Sequence, residues 1–364
     1  MIGSLSRHVV RFFPPPRFLS MAGVGLDISD THIYFIELNK QGPKRMLLRY
    51  GCTPLPKGVF QNGELVNPTL LKETLQTFQA AHGFHFAHVS LPEPKGYLYQ
   101  TLIPSVRTRG ELESAISFTL EENVPLAPQE ASFSYVPLRL DSRGKSLSVS
   151  VSVYARKIID EYSDLLQASS ITPLSFELDL RAASSACVKK GDARPYMLVH
   201  ISRNRTGIAI ISQGIAVYAA SVSVGSDTLT SAVAKYFSVS MEEAEKIKRE
   251  RGFAKERNNA DLFNSLLSTI AVLRDEMIRR RDFWDSVAAA RGDHHAPLVG
   301  IIVSGMDADL PGFADFLGLT MNMSARTASV WQNAFSLNEY IPPMSLQESL
   351  EYTTAIGLAL TSSL

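Results

Sequence analysis

Three short stretches carry the residue types that could hold an anion: Asp27-Ile-Ser-Asp-Thr31, Ser202-Arg-Asn-Arg-Thr206 and Ser304-Gly-Met-Asp-Ala-Asp-Leu-Pro-Gly312. Each follows an apolar run and brings small or hydroxyl side chains, so successive backbone N–H groups in a tight turn can converge on a phosphate. One such stretch is weak evidence, because a plain hairpin uses the same residues. Three in one chain, one per half and a third further on, form a more specific pattern. Stronger signatures are missing: the sequence has no GxxxxGK[ST], no GxSxG and no HExxH. His82, His85 and His88 are spaced by three, but Gly83 interrupts any helix that would gather them. His294 and His295 beside Asp293 read as a solvated loop rather than a metal site. Arg279 to Arg281, among acids, read as a solvated helix face.

The elements that must position these turns follow from periodicity. Residues 22–38 read as strand, turn and strand, with Ile33 and Phe35 in alternation, and 46–54 continue as strand. A helix over 69–82 and an apolar strand over 86–91 follow, the strand ending at Pro92. Thr108 and Glu111 form a capping box that opens a helix with Leu112, Ala115, Ile116 and Leu120 on one face, ended by Pro125. Lys145 to Tyr154 alternates apolar residues with serine, the mark of a half-buried strand. A helix over 156–168 and a strand near 174–180 close the first half. From Tyr196, three strands (MLVHIS, GIAIIS, GIAVYAASVSV) repeat the hairpin pattern. Helices follow from Ser240 to Arg251 and over 259–290, then a strand over 298–303 and a last helix opened by a capping box at Ser345 and Glu348. Strands alternate with helices and a hairpin leads each half, so the chain reads as two α/β lobes, with a weak repeat of one unit in topology.

Composition removes several function classes. Of 364 residues 45% are hydrophobic and 20% charged, and Lys+Arg equals Asp+Glu at 36 each, so global charge gives no reason to expect a nucleic-acid partner. Cys52 and Cys187 form no CxxC, which argues against structural zinc. No apolar run is long enough to span a bilayer. The N-terminus shows a different pattern: on a helix, Ile2, Leu5, Val9, Phe12 and Phe13 fall on one side and Arg7 and Arg11 on the other, before Pro14. That pattern suits a short helix lying on an anionic membrane surface, or one docked on the protein's own body.

The residues GLDISDTHIYFIEL (25–38), LESAISFTLEENVPLAPQEASFSY (112–135), VGSDTLTSAVAKYFSVSMEEAEKIKRE (224–250), VSGMDADLPGFADFLG (303–318) and TTAIGLAL (353–360) resemble, in this order, the PilM family. These are actin-like cytoplasmic components of type IV pilus assembly, related in fold to FtsA. The resemblance implies an actin-like ATPase fold: two lobes, each a mixed sheet flanked by helices, with an inserted α+β subdomain in the first. It implies a first lobe at 21–92, completed by 172–192 and 346–364; an inserted subdomain at 93–171; a second lobe at 193–225, completed by 296–345; and a helical subdomain at 226–295, with 1–20 as the amphipathic lead. Asp27, Ser29, Asp30 and Thr31 would form the first phosphate loop, and Ser202, Arg203, Asn204 and Thr206 the second. Gly225, Glu245, Lys248, Gly305 and Met306 would face the nucleoside, with ATP and Mg²⁺ as the implied cofactor. The implied partners are the cytoplasmic tail of a PilN-like inner-membrane protein and other pilus assembly proteins. Leu112, Ile116, Leu120, Val124 and Leu126 lie in the subdomain that flanks the tail's groove. The implied location is cytoplasmic, peripheral on the inner face of the membrane.

The departures from that pattern bear on chemistry. The family's first loop usually reads D-I-G-S; Ser29 and Asp30 stand here for its glycine and serine, and Tyr34 for a later lysine. A Cβ obstructs close approach of the backbone to phosphate, and a carboxylate repels phosphate unless a cation intervenes. The second loop reads His200-Ile-Ser202 where an aspartate is expected, Arg181 replaces the acid of the connecting helix, and Met306 replaces a glycine. Arg203 and Arg205 remain to attract an anion. Phosphoryl transfer needs metal, water and charge stabilisation together, so turnover is expected to be absent or very slow, and the cofactor to be either nucleotide or none. The expectation is a scaffold; the alternatives are an active actin-superfamily ATPase and a type II secretion assembly domain.

Overall fold

The computed structural model describes residues 23–41, 44–61, 63–106, 108–140, 144–254, 259–291 and 296–361. Ile2, Leu5, Arg7, Val9, Arg11, Phe12 and Phe13, and the His294–His295 pair, lie outside the described residues.

Two five-stranded sheets share one topology. The first contains β1 (Val24–Ile28), β2 (His32–Gln41), β3 (Lys44–Pro54), β6 (Phe86–Leu91) and β10 (Thr172–Leu178), in the order β10-β6-β1-β2-β3. The second contains β11 (Tyr196–Ile201), β12 (Thr206–Ser212), β13 (Ile215–Val222), β14 (Ile301–Gly305) and β15 (Ala325–Thr327), in the order β13-β12-β11-β14-β15. In both, two antiparallel strands lie on one side of the leading strand and two parallel strands on the other. The internal repeat that the two hairpins suggested is therefore a repeat of topology. A small hairpin, β4 (Phe60–Gln61) with β5 (Glu64–Leu65), and α1 (Pro68–His82) complete the first lobe's opening segment.

A third sheet is inserted between β6 and β10. Its strands β7 (Gly96–Pro104), β8 (Ala131–Leu140) and β9 (Ser146–Ala155) lie in the order β7-β9-β8, with helices α2 (Arg109–Asn123) and α3 (Arg156–Ala168). The capping box at α2 is fully made: Glu111 N–H donates to Thr108 Oγ1 at 3.3 Å and Thr108 N–H donates to Glu111 Oε2 at 3.2 Å. This subdomain has its own core of Tyr99, Ile103, Ile116, Leu120, Val124, Ala131, Val149, Val151 and Val153. The alternation in β9 predicted a half-buried strand, but both faces are covered. Its valines fill the core, while Ser150 Oγ donates to Ala216 O of β13 at 2.8 Å and Ser152 Oγ accepts from Arg181 at 2.5 Å. The serine face is a seam to the second lobe, and hydroxyls are tolerated there because each is hydrogen-bonded.

Two helices join the lobes: α4 (Asp179–Cys187) and α10 (Thr353–Thr361). They touch backbone to backbone, since a Cβ on Gly357 would lie 1.8 Å from Ala182 O. On its other side α10 rests on β1, where a Cβ on Gly25 would lie 2.0 Å from Ala355 O. Leu180 of α4 packs on Gly207 of the second sheet. The strand expected near 174–180 ends at Leu178, because Asp179 opens α4: its Oδ1 accepts from Leu180 N–H at 2.6 Å. The second lobe's helices are α5 (Ser226–Phe237), α6 (Met241–Arg251), α7 (Ala260–Arg291) and α8 (Phe313–Met321); α9 (Leu346–Glu351) precedes α10. Ser240 and Ser345 act as N-caps of α6 and α9. Among the described residues no helix is long and apolar enough to cross a membrane.

Candidate functional site: the interlobe cleft and a side groove

The two leading hairpins point their turns at each other. Asp27, at the end of β1, is 8% exposed and accepts a hydrogen bond from Ser90 Oγ at 2.6 Å. Burial pushes its carboxyl up to about 7, with Asp179 adding to the rise and Ser90 opposing it. The turn that follows is closed by Ser29, whose Oγ accepts from the N–H groups of His32 at 3.0 Å and Thr31 at 3.4 Å and donates to His32 O. Ser29 N–H donates to His32 O at 2.9 Å. Donors that a phosphate would use are thus taken within the turn.

Across the cleft, the turn between β11 and β12 presents Arg205. Its guanidinium contacts Asp30 at 3.4 Å and Asp179 Oδ2 at 3.1 Å, and all three side chains are only 13–16% exposed. Burial alone would lower the Arg205 pKa, but Asp179 and Asp30 more than restore the charge. Burial raises Asp179, with Arg205 opposing. Glu93, in the 3-10 turn Glu93–Lys95, is pushed by burial up to about 7, and its Oε2 has no hydrogen-bond partner among the described residues. Three carboxyls of the first lobe and Glu93 beside them therefore surround one guanidinium of the second. This corrects the expectation that Arg205 remains available to an anion: two carboxylates already hold it.

The other predicted residues divide. Ser202 N–H donates to Arg205 O at 2.9 Å; Ser202 O and Arg203 O accept from the first N–H groups of α5, Ser226 and Asp227. Gly225 packs so close to this turn that a Cβ would lie 2.3 Å from Arg203 O. Arg203 reaches Asp227 at 3.5 Å, Asn204 is exposed, and Thr206 Oγ1 donates to Val224 O at 2.6 Å. His200 contacts Ser304 Oγ at 2.9 Å, and burial lowers its pKa to about 4, so it is neutral at pH 7. Tyr34 is buried against Tyr352 with its hydroxyl at 3.5 Å from Glu351. On the nucleoside side, Gly305 needs no Cβ because Ile201 O would be 2.1 Å away, and Met306 N–H donates to Ile201 O. Lys248 is fully buried. Its Nζ meets Asp307 Oδ2, Glu245 Oε2 and Ser226 Oγ at 2.8 Å each and Thr230 Oγ1 at 2.9 Å. Asp307, at φ +62°, is a residue that the sequence reading did not single out. Its signal was an acid in a glycine-type turn with Lys248 otherwise unaccounted for.

The five apolar positions assigned to a partner groove are mostly core. Ile116, Leu120 and Val124 are 0%, 1% and 5% exposed, and Leu112 and Leu126 pack on the same cluster. Leu112, Ile116 and Leu120 lie on the inward stripe of α2, and Val124 and Leu126 follow at its C-terminal end, all packed on the subdomain's own core. A separate apolar groove lies nearby. It is lined by Phe133 of β8, Tyr154 of β9, Ile159 of α3 and Phe176 of β10, with a cavity of about 190 Å³. Beside β8 a second cavity of about 600 Å³ runs past Arg109, Glu113, Tyr135 and Arg156. Both β8 and β10 are end strands of their sheets. His82, His85 and His88 do not gather: His88 pairs with Ser175 and His85 with Gln79. Among the described residues no three side chains form a metal-binding group.

Two copies of one sheet topology, bridged by α4 and α10 around a polar cleft and interrupted by a three-stranded subdomain, define an actin-like protein. Solved structures agree: MreB5 of Spiroplasma citri bound to ADP (12% identity, TM-score 0.53, 86% of this chain and 93% of that one) and the ethanolamine utilization protein EutJ from Carboxydothermus hydrogenoformans (13%, 0.51, 95% and 90%). A PilM-PilN type IV pilus biogenesis complex is more similar, at 18% identity and TM-score 0.74 over 94% of this chain and 99% of that one. The family model for type IV pilus assembly protein PilM matches residues 25–363, so the chain belongs to that family. No curated protein matches.

Proposed function

We propose that the chain is a scaffold of the inner-membrane platform of a type IV pilus, and that it binds the extended cytoplasmic tail of a PilN-like membrane protein in the groove between β8 and β10. The observation that carries this reading is the pairing of two open sheet edges with an apolar trough. A strand added to a free edge gains main-chain hydrogen bonds, and every second side chain enters a pocket. Here Phe133, Ile159 and Phe176 supply the pocket, while Arg109 and Arg156 favour an acidic residue on the opposite face of the added strand. The solved complex of a family member with PilN supports the partner class. In this reading the protein works at the membrane's cytoplasmic face, holds its partners and does not turn over nucleotide.

The test is titration of a fluorescent PilN-like tail peptide into the full chain. Saturable binding that falls at least tenfold in Phe176→Asp supports the groove. Binding unchanged in both Phe133→Asp and Phe176→Asp, with the fold intact by circular dichroism, sinks it.

A further inference from the structure

ATP with Mg²⁺, the group that the fold class implies, does not fit the cleft as its side chains stand. The Arg205 guanidinium fills the space between the turn at Asp30 and the start of α4 at Asp179. Ser29 Oγ takes up the N–H groups of Thr31 and His32. The first N–H groups of α5, where a phosphate would otherwise be favoured, donate to Ser202 O and Arg203 O. At the nucleoside end Lys248 is fully buried and held by Asp307 and Glu245. The Arg205 and Lys248 cations and the turn and helix amides named above have intramolecular partners; Glu93 Oε2, Arg203 Nε and Asp307 Oδ1 are the buried cleft atoms without one among the described residues.

We infer that the cleft is liganded by its own side chains. Arg205 of the second lobe stands where a nucleotide's cation would neutralise the first lobe's acids, and it holds the two lobes closed without any nucleotide. The charge logic requires such a cation: Asp27, Asp30 and Asp179 converge in a space with little solvent, and like charges so placed repel unless a counter-charge lies between them. The geometry also fixes which contacts matter. Asp30 and Asp179 sit on separate elements of the first lobe, so one guanidinium bridging both restrains hinge opening in a way a single pair would not. Nucleotide must displace Arg205 before it can enter, and affinity falls by the fraction of molecules in which the bridge is open.

This inference is independent of the tail groove, and its experiment reads only the cleft. Small-angle scattering and thermal melting are measured on the full chain, with and without Mg·ATP and Mg·ADP, for wild type, Arg205→Ala and Asp30→Asn. The wild type is expected to keep the same radius of gyration with nucleotide and to shift its Tm by less than about 1 °C, where a ligand at 100 times its Kd would give several degrees. Arg205→Ala is expected to melt several degrees lower and to have a larger radius of gyration. Asp30→Asn keeps the side-chain volume and the Asp179 contact; it is expected to open the molecule by a smaller amount and serves if Arg205→Ala does not fold. The inference is overturned if the wild type closes only when Mg·ATP or Mg·ADP is added, or if Asp30→Asn scatters and melts like the wild type.

Discussion

The interlobe cleft and the β8–β10 groove differ in how much of their bonding capacity is used. In the cleft, Arg205 has two carboxylates and Lys248 has five oxygen partners, while Ser29 closes its own turn. In the groove, two sheets end on open edges and Phe133 and Phe176 line a cavity. Beside the groove Arg109 pairs with Glu113 at 2.7 Å and Arg156 donates to Ala131 O at 3.4 Å, so the contrast lies in the apolar lining and the end strands rather than in the arginines.

Four measurements break or sharpen this contrast, from the largest expected effect down. Lys248→Met leaves the fully buried Asp307 without its cation, while Glu245 keeps Arg249, and a buried charge stripped of its partner costs ~3–5 kcal/mol. A melt within about 1 kcal/mol of wild type would show that the cleft's ion pairs carry little, and the contrast would fail there.

The second is pH. Asp27 and Glu93 are both raised to about 7 in the fold from 3.8 and 4.5. The folded state therefore binds more protons than the unfolded state between about pH 4 and 7. Their contribution is most favourable at the acid end, declines as pH rises to about 7, and is flat above. Asp27→Asn removes its share, so its stability relative to wild type should rise with pH by a few kcal/mol, on the order of 1.4 per unit. Denaturant midpoints at pH 5 and pH 8 read this difference, and equal midpoint changes at both would refute it.

Third, the core-facing stripe of α2 should carry stability and not peptide binding. Leu120→Ala should lose about 2–5 kcal/mol of stability through the cavity it leaves, and would alter peptide affinity only by unfolding. The fourth and smallest effect belongs to Phe118, which is 83% exposed on the same helix. Phe118→Ser should shift stability by no more than about 0.5 kcal/mol and leave tail-peptide affinity unchanged. A strong loss of affinity would move the binding surface from β8–β10 to α2.

Much of the fold was legible. Ile33 and Phe35 in alternation, Gly83 ending a helix, and the capping box at Thr108 announce elements through short-range rules, because periodicity and capping act over a few residues. The two hairpins announced the duplicated topology. Burial of α2's stripe is legible as amphipathicity, but which of Leu112, Ile116, Leu120, Val124 and Leu126 the subdomain's own sheet covers is not, because that depends on contacts distant in sequence. The serines of β9 look solvent-facing in sequence for the same reason. Alternation says that two faces differ, not that the polar face meets water.

The cleft marks the boundary most clearly. Sequence alone determined that Ser29, Asp30, His200 and Met306 depart from the chemistry of a nucleotide loop, because residue identity is local information. Only the tertiary structure decided what those departures do. Asp30 and Arg205 are 175 residues apart, and Lys248 and Asp307 are 59 apart. No spacing rule connects such pairs. Asp30 and Arg205 meet because Gly25 and Gly357 let α10 pack at backbone distance on β1 and α4, which fixes how the two lobes face; Lys248 and Asp307 meet within the second lobe, where Phe253 N–H just past α6 donates to Pro311 O at 2.6 Å.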